Sequence, residues 1–339
     1  MKKYLNLAIM ILLVFSLTGC TEQNPDEEPQ SQTLSQRDQD ISLEENNATL
    51  LEEGENVTVD GVCEFHVDYV SISENPKLFY EAGTGKTYVD FCITYKNLAD
   101  YTINADRIMN GELIYSGQYE YDGIARAAEE DGSSLSPAHW IDMEPSDTRQ
   151  VHYFFLVPKE VQDSSRMVEL NMNICENDYR VIIREGERGT IPASGSISAS
   201  GEVADGEVVI TDNAEFYVEY SEFTKEVIPP APNYGYNYYA AEEGKMFIDF
   251  CIAYTNMSTH KITADKAVSA KLNQAEAQTR VAEEGERSMF DSASLVNIIP
   301  LCTGYIHYIF QVPEELETSS EQVTISFKID GSRYTYSVK

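Results

Sequence analysis

The chain has 339 residues, with 57 acidic and 24 basic side chains and a formal net charge of −33. Hydrophobic residues make up 42% of the sequence, which is enough to form packed cores, and the length favours two domains over one. Because a charge of this sign repels phosphate backbones, we expect no binding to nucleic acid.

The first nineteen residues have the pattern of an export signal. Lys2 and Lys3 precede an apolar run from Tyr4 to Leu17, which is shorter than the roughly 20 residues of a membrane-spanning helix. The sequence Leu17-Thr18-Gly19-Cys20 resembles the lipobox of bacterial lipoproteins, in which the cysteine is acylated and becomes the new N-terminus. We therefore predict a signal peptide at residues 1–19, lipidation of Cys20, and a lipid-anchored protein on the extracytoplasmic face of the cell membrane. An ordinary secretory signal followed by an incidental cysteine is the alternative.

Residues 20–55 do not have the composition of a folded domain. They are rich in Glu, Asp, Gln and Ser and poor in aromatic residues, so they cannot bury enough apolar surface to offset the entropy of ordering. We predict a disordered acidic tether that is extended by its like charges.

The remaining sequence contains an internal duplication. Residues 88–97 and 247–256 are identical at six of ten positions, and Val151–Pro158 returns as Ile306–Pro313. The repeats keep their order over a period of about 155–159 residues, which is far too long for a solenoid and indicates tandem domains. We place domain 1 at residues 56–184, a Gly/Ser-rich linker at 185–206, and domain 2 at 207–339.

Apolar side chains alternate with polar ones in both copies. Val89, Phe91, Ile93 and Tyr95 have the same parity as Ile248, Phe250, Ile252 and Tyr254, which predicts strands with one buried face. We expect six to eight strands per domain and an all-β fold of two tandem immunoglobulin-like antiparallel β-sandwiches. Further strands of domain 1 are predicted at residues 62–72, 151–157, 168–174 and 179–183.

The order of these motifs resembles that of a known family. Tyr95-Lys96-Asn97 ends a hydrophobic strand, a turn with a proline follows, and an aromatic strand ends at Val157-Pro158. This resembles the immunoglobulin-like domains of uncharacterised function in Gram-positive lipoproteins and secreted immunogenic proteins. The family usually has a glycine after the turn proline, where this chain has Ser146 and Leu301. The resemblance implies β-sandwiches on a lipid anchor and supplies no catalytic residues.

Five cysteines remain after Cys20, and an odd number cannot be completely paired within the chain. Cys92 and Cys251 occupy equivalent positions in different domains, so we expect them to be free thiols. Cys63 and Cys175 lie in one domain and are both missing from the other copy, which predicts a disulfide between them. The role of Cys302 stays open.

The sequence has no motif that specifies a metal, a cofactor or a catalytic group. His152 and His307 are equivalent in the two copies, but no HExxH or CxxC spacing accompanies them, so we interpret them as structural or surface histidines. Since there is also no Gly-x-Ser-x-Gly motif, we predict no catalytic residues, no metal and no cofactor.

One long loop favours ligand binding. Domain 2 has about eight more residues than domain 1 between its first two conserved strands, and they include Tyr234, Tyr236, Tyr238 and Tyr239. Tyrosines on a loop of a rigid sandwich suit contact with a peptide or a glycan. The alternative is a loop whose tyrosines pack on their own sandwich. Tyr115, Tyr119 and Tyr121 form a weaker cluster of the same kind in domain 1.

The predicted function is binding or scaffolding without catalysis. The expected partners are the membrane, through the N-terminal lipid, and an envelope protein, a glycan or a peptide. An envelope hydrolase is one alternative, which would require a convergent polar cleft. An accessory lipoprotein of a transporter or of an envelope-stress system is another. The acidic surface could also attract cations.

Overall fold

The computed structural model describes residues 48–193, 196–197, 201–232, 235–273, 275–277, 279–283 and 287–339. The predicted signal peptide, Cys20, most of the predicted tether and Tyr234 lie outside the described residues. Within the described ranges, no helix combines the length and the apolar character needed to cross a membrane.

Domain 1 is built from two layers that share one strand, and its strands pair antiparallel except for β1, which is parallel to β12. Its strands are β1 (Thr49–Leu50), β2 (Asn56–Val59), β3 (Cys63–Ser73), β4 (Lys86–Asn97), β5 (Ile103–Asn104), β6 (Met109–Tyr115), β7 (Tyr119–Ala128), β8 (Leu135–Pro137), β9 (Asp142–Met143), β10 (Thr148–Pro158), β11 (Val168–Ile174) and β12 (Asn177–Arg184). The short helical segments are Ala105–Arg107, Ala138–Trp140 and α1 (Glu160–Asp163).

Strand β7 passes from one layer of domain 1 to the other. Its first residues pair with β6 in the layer β1-β12-β11-β6, and the residues from Gly123 onward pair with β10 in the layer β10-β4-β3-β2. A Cβ atom at Gly123 would lie 2.7 Å from the ring of Phe155, so the crossing point requires a residue without a side chain.

Domain 2 repeats this plan with the shared strand divided into two pieces. Its strands are β13 (Ser196–Ile197), β14 (Val209–Ile210), β15 (Ala214–Thr224), β16 (Glu226–Val227), β17 (Tyr239–Ala240), β18 (Lys245–Asn256), β19 (Ile262–Thr263), β20 (Val268–Leu272), β21 (Ala275–Glu276), β22 (Thr279–Glu283), β23 (Asp291–Ser292), β24 (Asn297–Ile298), β25 (Thr303–Pro313), β26 (Thr324–Ile329) and β27 (Ser332–Ser337). The helices are α2 (Ala264–Ala267) and α3 (Glu315–Thr318). One layer is β13-β14-β15-β18-β25-β22-β23 and the other is β21-β20-β26-β27, so the predicted all-β fold is confirmed.

The central strands β4 and β18 are buried on both faces. Phe91 and Phe250 point into the main cores, as the alternation predicts, but the polar neighbours Asp90 and Asp249 are also buried. In domain 1 a loop places Phe79 over the outer face of the sheet. Each domain therefore has a second, smaller core on the outer side of its central strands.

Matching β-bulges bring side chains into these outer cores. The register shifts between Val67 and Tyr69 in β3, and between Val218 and Tyr220 in β15. The extra residue in each bulge puts the following tyrosine on the same face as the cysteine of the central strand.

Both predicted boundaries of domain 1 need correction. Strand β1 pairs with β12 and Leu51 is buried in the core, so the range predicted as tether contributes residues 49–51 to the domain. At the other end, Ile191 packs on domain 1 and Val203 lies in the core of domain 2. The range predicted as linker is thus partly packed, since Ile191 is half-buried and Val203 is buried.

The two sandwiches belong to one compact unit and contact each other directly. The hairpin between β6 and β7 of domain 1 meets two loops of domain 2. The Glu120 amide donates to the Thr259 carbonyl at 2.9 Å, and the Tyr121 hydroxyl donates to the Pro300 carbonyl at 3.4 Å. Leu301 packs against the core of domain 1.

Ion pairs surround this contact. His260 lies 2.8 Å from Glu120, and Lys261 pairs with Asp122. Because these side chains are partly exposed, the pairs add little to the free energy of unfolding. Their main effect is to orient the two domains relative to each other at this contact.

The residues after the two turn prolines have a backbone conformation that favours glycine. Ser146 and Leu301 have positive φ angles of 77° and 61°, a region that glycine adopts without strain. Ser146 is exposed, whereas Leu301 reaches the other domain. At Leu301 the packing between domains compensates for the backbone strain.

Candidate functional site

Each domain carries the same set of polar side chains on the outer face of its central strand. In domain 1 these are Tyr69 on β3, Asp90 and Cys92 on β4, and His152 on β10. Asp90 and Cys92 are two residues apart and share a face, and both Tyr69 and His152 stand directly opposite Cys92 in the register. The bulge in β3 is what aligns Tyr69 with this group.

In domain 1 the four side chains form a connected network. The Tyr69 hydroxyl donates to Asp90 Oδ2 at 3.0 Å, and Nδ1 of His152 lies 3.0 Å from Asp90 Oδ1. Nε2 of His152 lies 3.6 Å from the Cys92 sulfur. Asp68, the bulge residue, also accepts from Cys92 at 3.5 Å.

Domain 2 reproduces the network with nearly the same distances. The Tyr220 hydroxyl donates to Asp249 Oδ2 at 3.0 Å, and Nδ1 of His307 lies 3.1 Å from Asp249 Oδ1. Nε2 of His307 lies 3.5 Å from the Cys251 sulfur. We call these two sets the Tyr–Asp–His–Cys networks.

The chemistry of the groups assigns the protons. An ionised Asp249 can only accept, so Nδ1 of His307 carries the proton that is donated to it. Nε2 then has a lone pair, which accepts from the Cys251 thiol. In domain 1 Nδ1 of His152 is assigned in the same way, but the single proton of the Cys92 thiol has two acceptors within reach, Asp68 and Nε2 of His152.

Cysteine, histidine and aspartate in this order also occur in enzymes with a cysteine nucleophile. Here the sulfurs of Cys92 and Cys251 are both 0% exposed. Burial, together with the charge of Asp68, raises the pKa of Cys92, and burial raises the pKa of Cys251. A reactive cysteine has the opposite properties, a lowered pKa and an open approach. In the described conformation the networks hold neutral thiols inside the outer cores.

Aromatic rings cover both networks. In domain 1 the rings of Phe79 and Phe154 stack at 4.0 Å, and Phe154 in turn stacks on His152 at 5.6 Å. In domain 2 the ring of Phe290 meets His307 edge-on at 5.0 Å. Among the described residues, no group of three His, Cys, Asp or Glu side chains has a geometry that could hold a metal ion.

The sequence identified the histidines and the cysteines as equivalent pairs, but it did not join them into networks, and Tyr69 and Tyr220 were missed. His152 and Cys92 are equivalent to His307 and Cys251, and both pairs lie on faces opposite to the main core. In each repeat the histidine and the cysteine lie on paired strands and have the parity of the outer face. This pattern was the signal in the sequence that could have joined them. Both histidines were predicted to be structural or surface residues, and their burial favours the structural interpretation.

The long loop of domain 2 has a fixed base and an exposed tip. Strand β16 pairs with β17 at the base, where Tyr239 packs against Phe290 with ring centroids 6.1 Å apart. At the tip, Tyr236 and Tyr238 are 38% and 57% exposed, and their ring centroids lie 6.4 Å apart. We call Tyr236 and Tyr238 the tyrosine pair. Tyr239 therefore packs on its own sandwich, as one interpretation of the loop predicts. The tyrosine pair is instead exposed, as the ligand-binding interpretation requires.

The weaker tyrosine cluster predicted in domain 1 is wrong as a binding surface. Tyr115, Tyr119 and Tyr121 are all buried. Tyr121 closes the contact with domain 2, and Tyr119 accepts a hydrogen bond from the Ile191 amide at 3.0 Å. Their spacing places all three side chains on the inner side of the β6–β7 hairpin.

Cys63 and Cys175 meet at one end of domain 1. Their sulfurs are 2.7 Å apart and the two residues are not cross-linked. A hydrogen bond from Cys63 lowers the pKa of Cys175, which is partly exposed. In domain 2 the equivalent junction is held by Asn213, whose amide groups donate to Asp330 at 2.9 and 3.0 Å. Both copies therefore tie the start of the third strand to the turn between the last two strands.

Neither a protein-family model nor a curated protein matches the chain. Among solved structures, the chain is similar to an uncharacterised β-sandwich protein from Clostridium difficile, with 26% identity and a TM-score of 0.37 over 44% of this chain and 100% of that one. It is also similar to a candidate lipoprotein from Bacillus subtilis, with 15% identity and a TM-score of 0.26 over 39% of each chain. The all-β fold is therefore assigned from the strand pairing of this chain itself.

Proposed function

We propose that the chain is a lipoprotein of the immunoglobulin-like class, anchored through Cys20 on the extracytoplasmic face, that binds an envelope peptide or glycan without catalysing a reaction. The observation that carries this proposal is the tyrosine pair, which is exposed at the tip of a loop whose base is fixed. Such rings offer contact area at a small entropic cost, because the loop is already held in place.

The surroundings of the tyrosine pair favour a neutral or basic ligand. Glu226, Glu242 and Glu243 lie on the flanking segments, and the whole chain is strongly acidic. Tyrosine rings stack on the apolar faces of sugars and on proline or aromatic side chains, and they need no charge on the ligand. We therefore expect a neutral glycan or a peptide with basic residues.

The burial of the Tyr–Asp–His–Cys networks supports a role without catalysis. A substrate would have to displace Phe79 or Phe290 to reach the thiols of Cys92 or Cys251. The networks join three strands in each domain, and this contribution to stability is sufficient to explain them.

The test compares wild type with the double variant Y236A/Y238A. Both proteins, as the mature chain from Thr21 onward, are passed over immobilised cell-wall fragments, glycans and envelope peptides. The control variant is Tyr80→Ala, which removes a tyrosine that is 73% exposed on a loop of domain 1. We expect a ligand retained by wild type and by the control but lost by the double variant, with unchanged melting temperatures. Equal retention by all three proteins would refute the role of the tyrosine pair.

A cysteine hydrolase is the second candidate, favoured by the order of groups in the networks. It requires that Cys92 or Cys251 can be reached in the native protein. Exposure of the folded chain to a thiol-reactive electrophile, followed by peptide mass mapping, decides between the two candidates. Rapid native labelling of either cysteine, suppressed by changing His152 or His307 to alanine, would support the hydrolase.

A further inference from the structure

The outer face of the sheet β20-β26-β27 in domain 2 is a basic concavity. It has a volume of about 450 Å³. Its polar lining comes from alternate residues of three neighbouring strands: Ser269, Lys271, Ser326, Lys328, Arg333 and Thr335. We call these six residues the basic face.

The strand register orders the basic face into two rows. Ser269, Lys328 and Arg333 stand opposite one another in the first row, and Lys271, Ser326 and Thr335 in the second. The second row continues to an acidic register position at each end, Glu276 beside Lys271 and Glu202 beside Thr335. Opposed side chains in a sheet are separated by roughly 5 Å at their Cβ atoms. The basic face therefore holds three cations and three hydroxyls in two rows that cross three strands.

Two of the cations have no acidic partner in the part of the chain that the structure describes. Lys328 and Arg333 are exposed and form no ion pair there. In contrast, Lys159, Lys225 and Lys245 each lie within 3 Å of a glutamate. Lys77 and Lys266 are also exposed without an ion pair in the described part of the chain, but both lie outside the strands, so neither has a second cation opposite it in a sheet.

Lys328 and Arg333 are also direct cross-strand partners. Like charges in this position destabilise a sheet. The arrangement costs stability unless an anion lies between the two side chains.

Domain 1 provides an internal comparison. At the positions of Lys328 and Arg333 it has Asn173 and Asp178, and the Asn173 amide donates to the Asp178 carboxylate at 2.8 Å. At the position of Lys271 it has Glu112. In the second row domain 1 has Arg180 where domain 2 has Thr335, so the contrast lies in the first row, which has one acidic residue and no cation in domain 1 but two cations in domain 2.

We propose that the basic face of domain 2 binds the phosphate groups of an envelope phosphodiester polymer. Phosphate offers oxygens in several directions, which suits lysines, a guanidinium and hydroxyls placed around one concavity. A single carboxylate would be satisfied by the arginine alone. At physiological ionic strength charges beyond about 8 Å are largely screened, so the local cations outweigh the distant acidic residues.

The test uses linear inorganic polyphosphate as the probe and the mature chain from Thr21 onward. The variant K328N/R333D copies the pair that domain 1 already uses, so it should fold and lose no stability. We expect its affinity for polyphosphate at physiological salt to fall at least about tenfold relative to wild type. Higher salt should weaken binding by wild type.

Two controls separate this site from other effects. The variant K77A/K266A removes two exposed cations outside the basic face and should bind as wild type does. The variant Y236A/Y238A should also retain polyphosphate binding, so a failure of the proposed glycan or peptide site leaves this test unaffected.

Three results would overturn the proposal. One is equal affinity of wild type and K328N/R333D, and another is an equal loss in K77A/K266A. The third is binding to vesicles that contain phosphatidylglycerol together with no binding to polyphosphate, which would make the face a membrane contact instead of a polymer site.

Discussion

The Tyr–Asp–His–Cys network of domain 2 predicts a specific loss of stability for Asp249→Asn. In wild type the Asp249 carboxylate accepts from Tyr220 and from His307, which is 0% exposed. An asparagine has one oxygen and one NH2 group, so one of the two donors must face another donor. A buried donor without a partner costs about 1–3 kcal/mol, and the remaining hydrogen bond loses its assistance by charge. We expect a loss of about 2–4 kcal/mol in the free energy of unfolding.

Urea unfolding followed by circular dichroism, together with calorimetry of the mature chain, measures this loss. Asp212→Asn removes the same charge from an exposed position of domain 2 and should change the stability by less than about 0.5 kcal/mol. Asp90→Asn is the equivalent change in domain 1 and should behave like Asp249→Asn. If Asp249→Asn costs no more than Asp212→Asn, the network does not hold the strands together and the reasoning is wrong.

Four further results are expected. Tyr121→Ala should cost about 3–5 kcal/mol and split thermal unfolding of the two sandwiches into separate calorimetric transitions, because it removes a buried ring from their contact. If the predicted disulfide forms, the unreduced, unfolded mature chain should show three reactive thiols, and reduction should lower the stability by about 4 kcal/mol. In the reduced protein, the hydrogen bond from Cys63 lowers the pKa of Cys175 to about 7, so its alkylation should be slow below that pH and reach its plateau above it. Ser146→Gly should add about 1 kcal/mol by relieving backbone strain, whereas Leu301→Gly should destabilise because it also removes packing on domain 1.

Strand periodicity was sufficient to predict the all-β fold class. The alternation from Val89 to Tyr95 reports the inner face of β4, because that face packs on the opposite layer. The alternation contains no information on the outer face of β4. That face is covered by Phe79, which lies on a loop with no periodic pattern. The buried state of Cys92 therefore could not be derived from its parity alone.

Contacts that form only when the strands and domains pack together could also not be predicted from the sequence. Tyr121 and Tyr236 both belong to tyrosine-rich stretches, yet one is buried between sandwiches and the other is exposed on a loop. The basic face could not be predicted from the sequence for a different reason. Net charge averages over the whole chain, whereas Lys271, Lys328 and Arg333 meet only when three strands pair in register.

The contact between the sandwiches also limits how many such units can be joined. Domain 2 has Ala275 at the register position of Tyr121, so its own hairpin lacks the phenol that domain 1 presents. Domain 1 has Glu144 and Ser146 where domain 2 has the apolar residues that dock, including Leu301. Neither free end retains the half of the interface needed to accept another unit. A further unit could therefore not be joined to either sandwich through a contact of this kind.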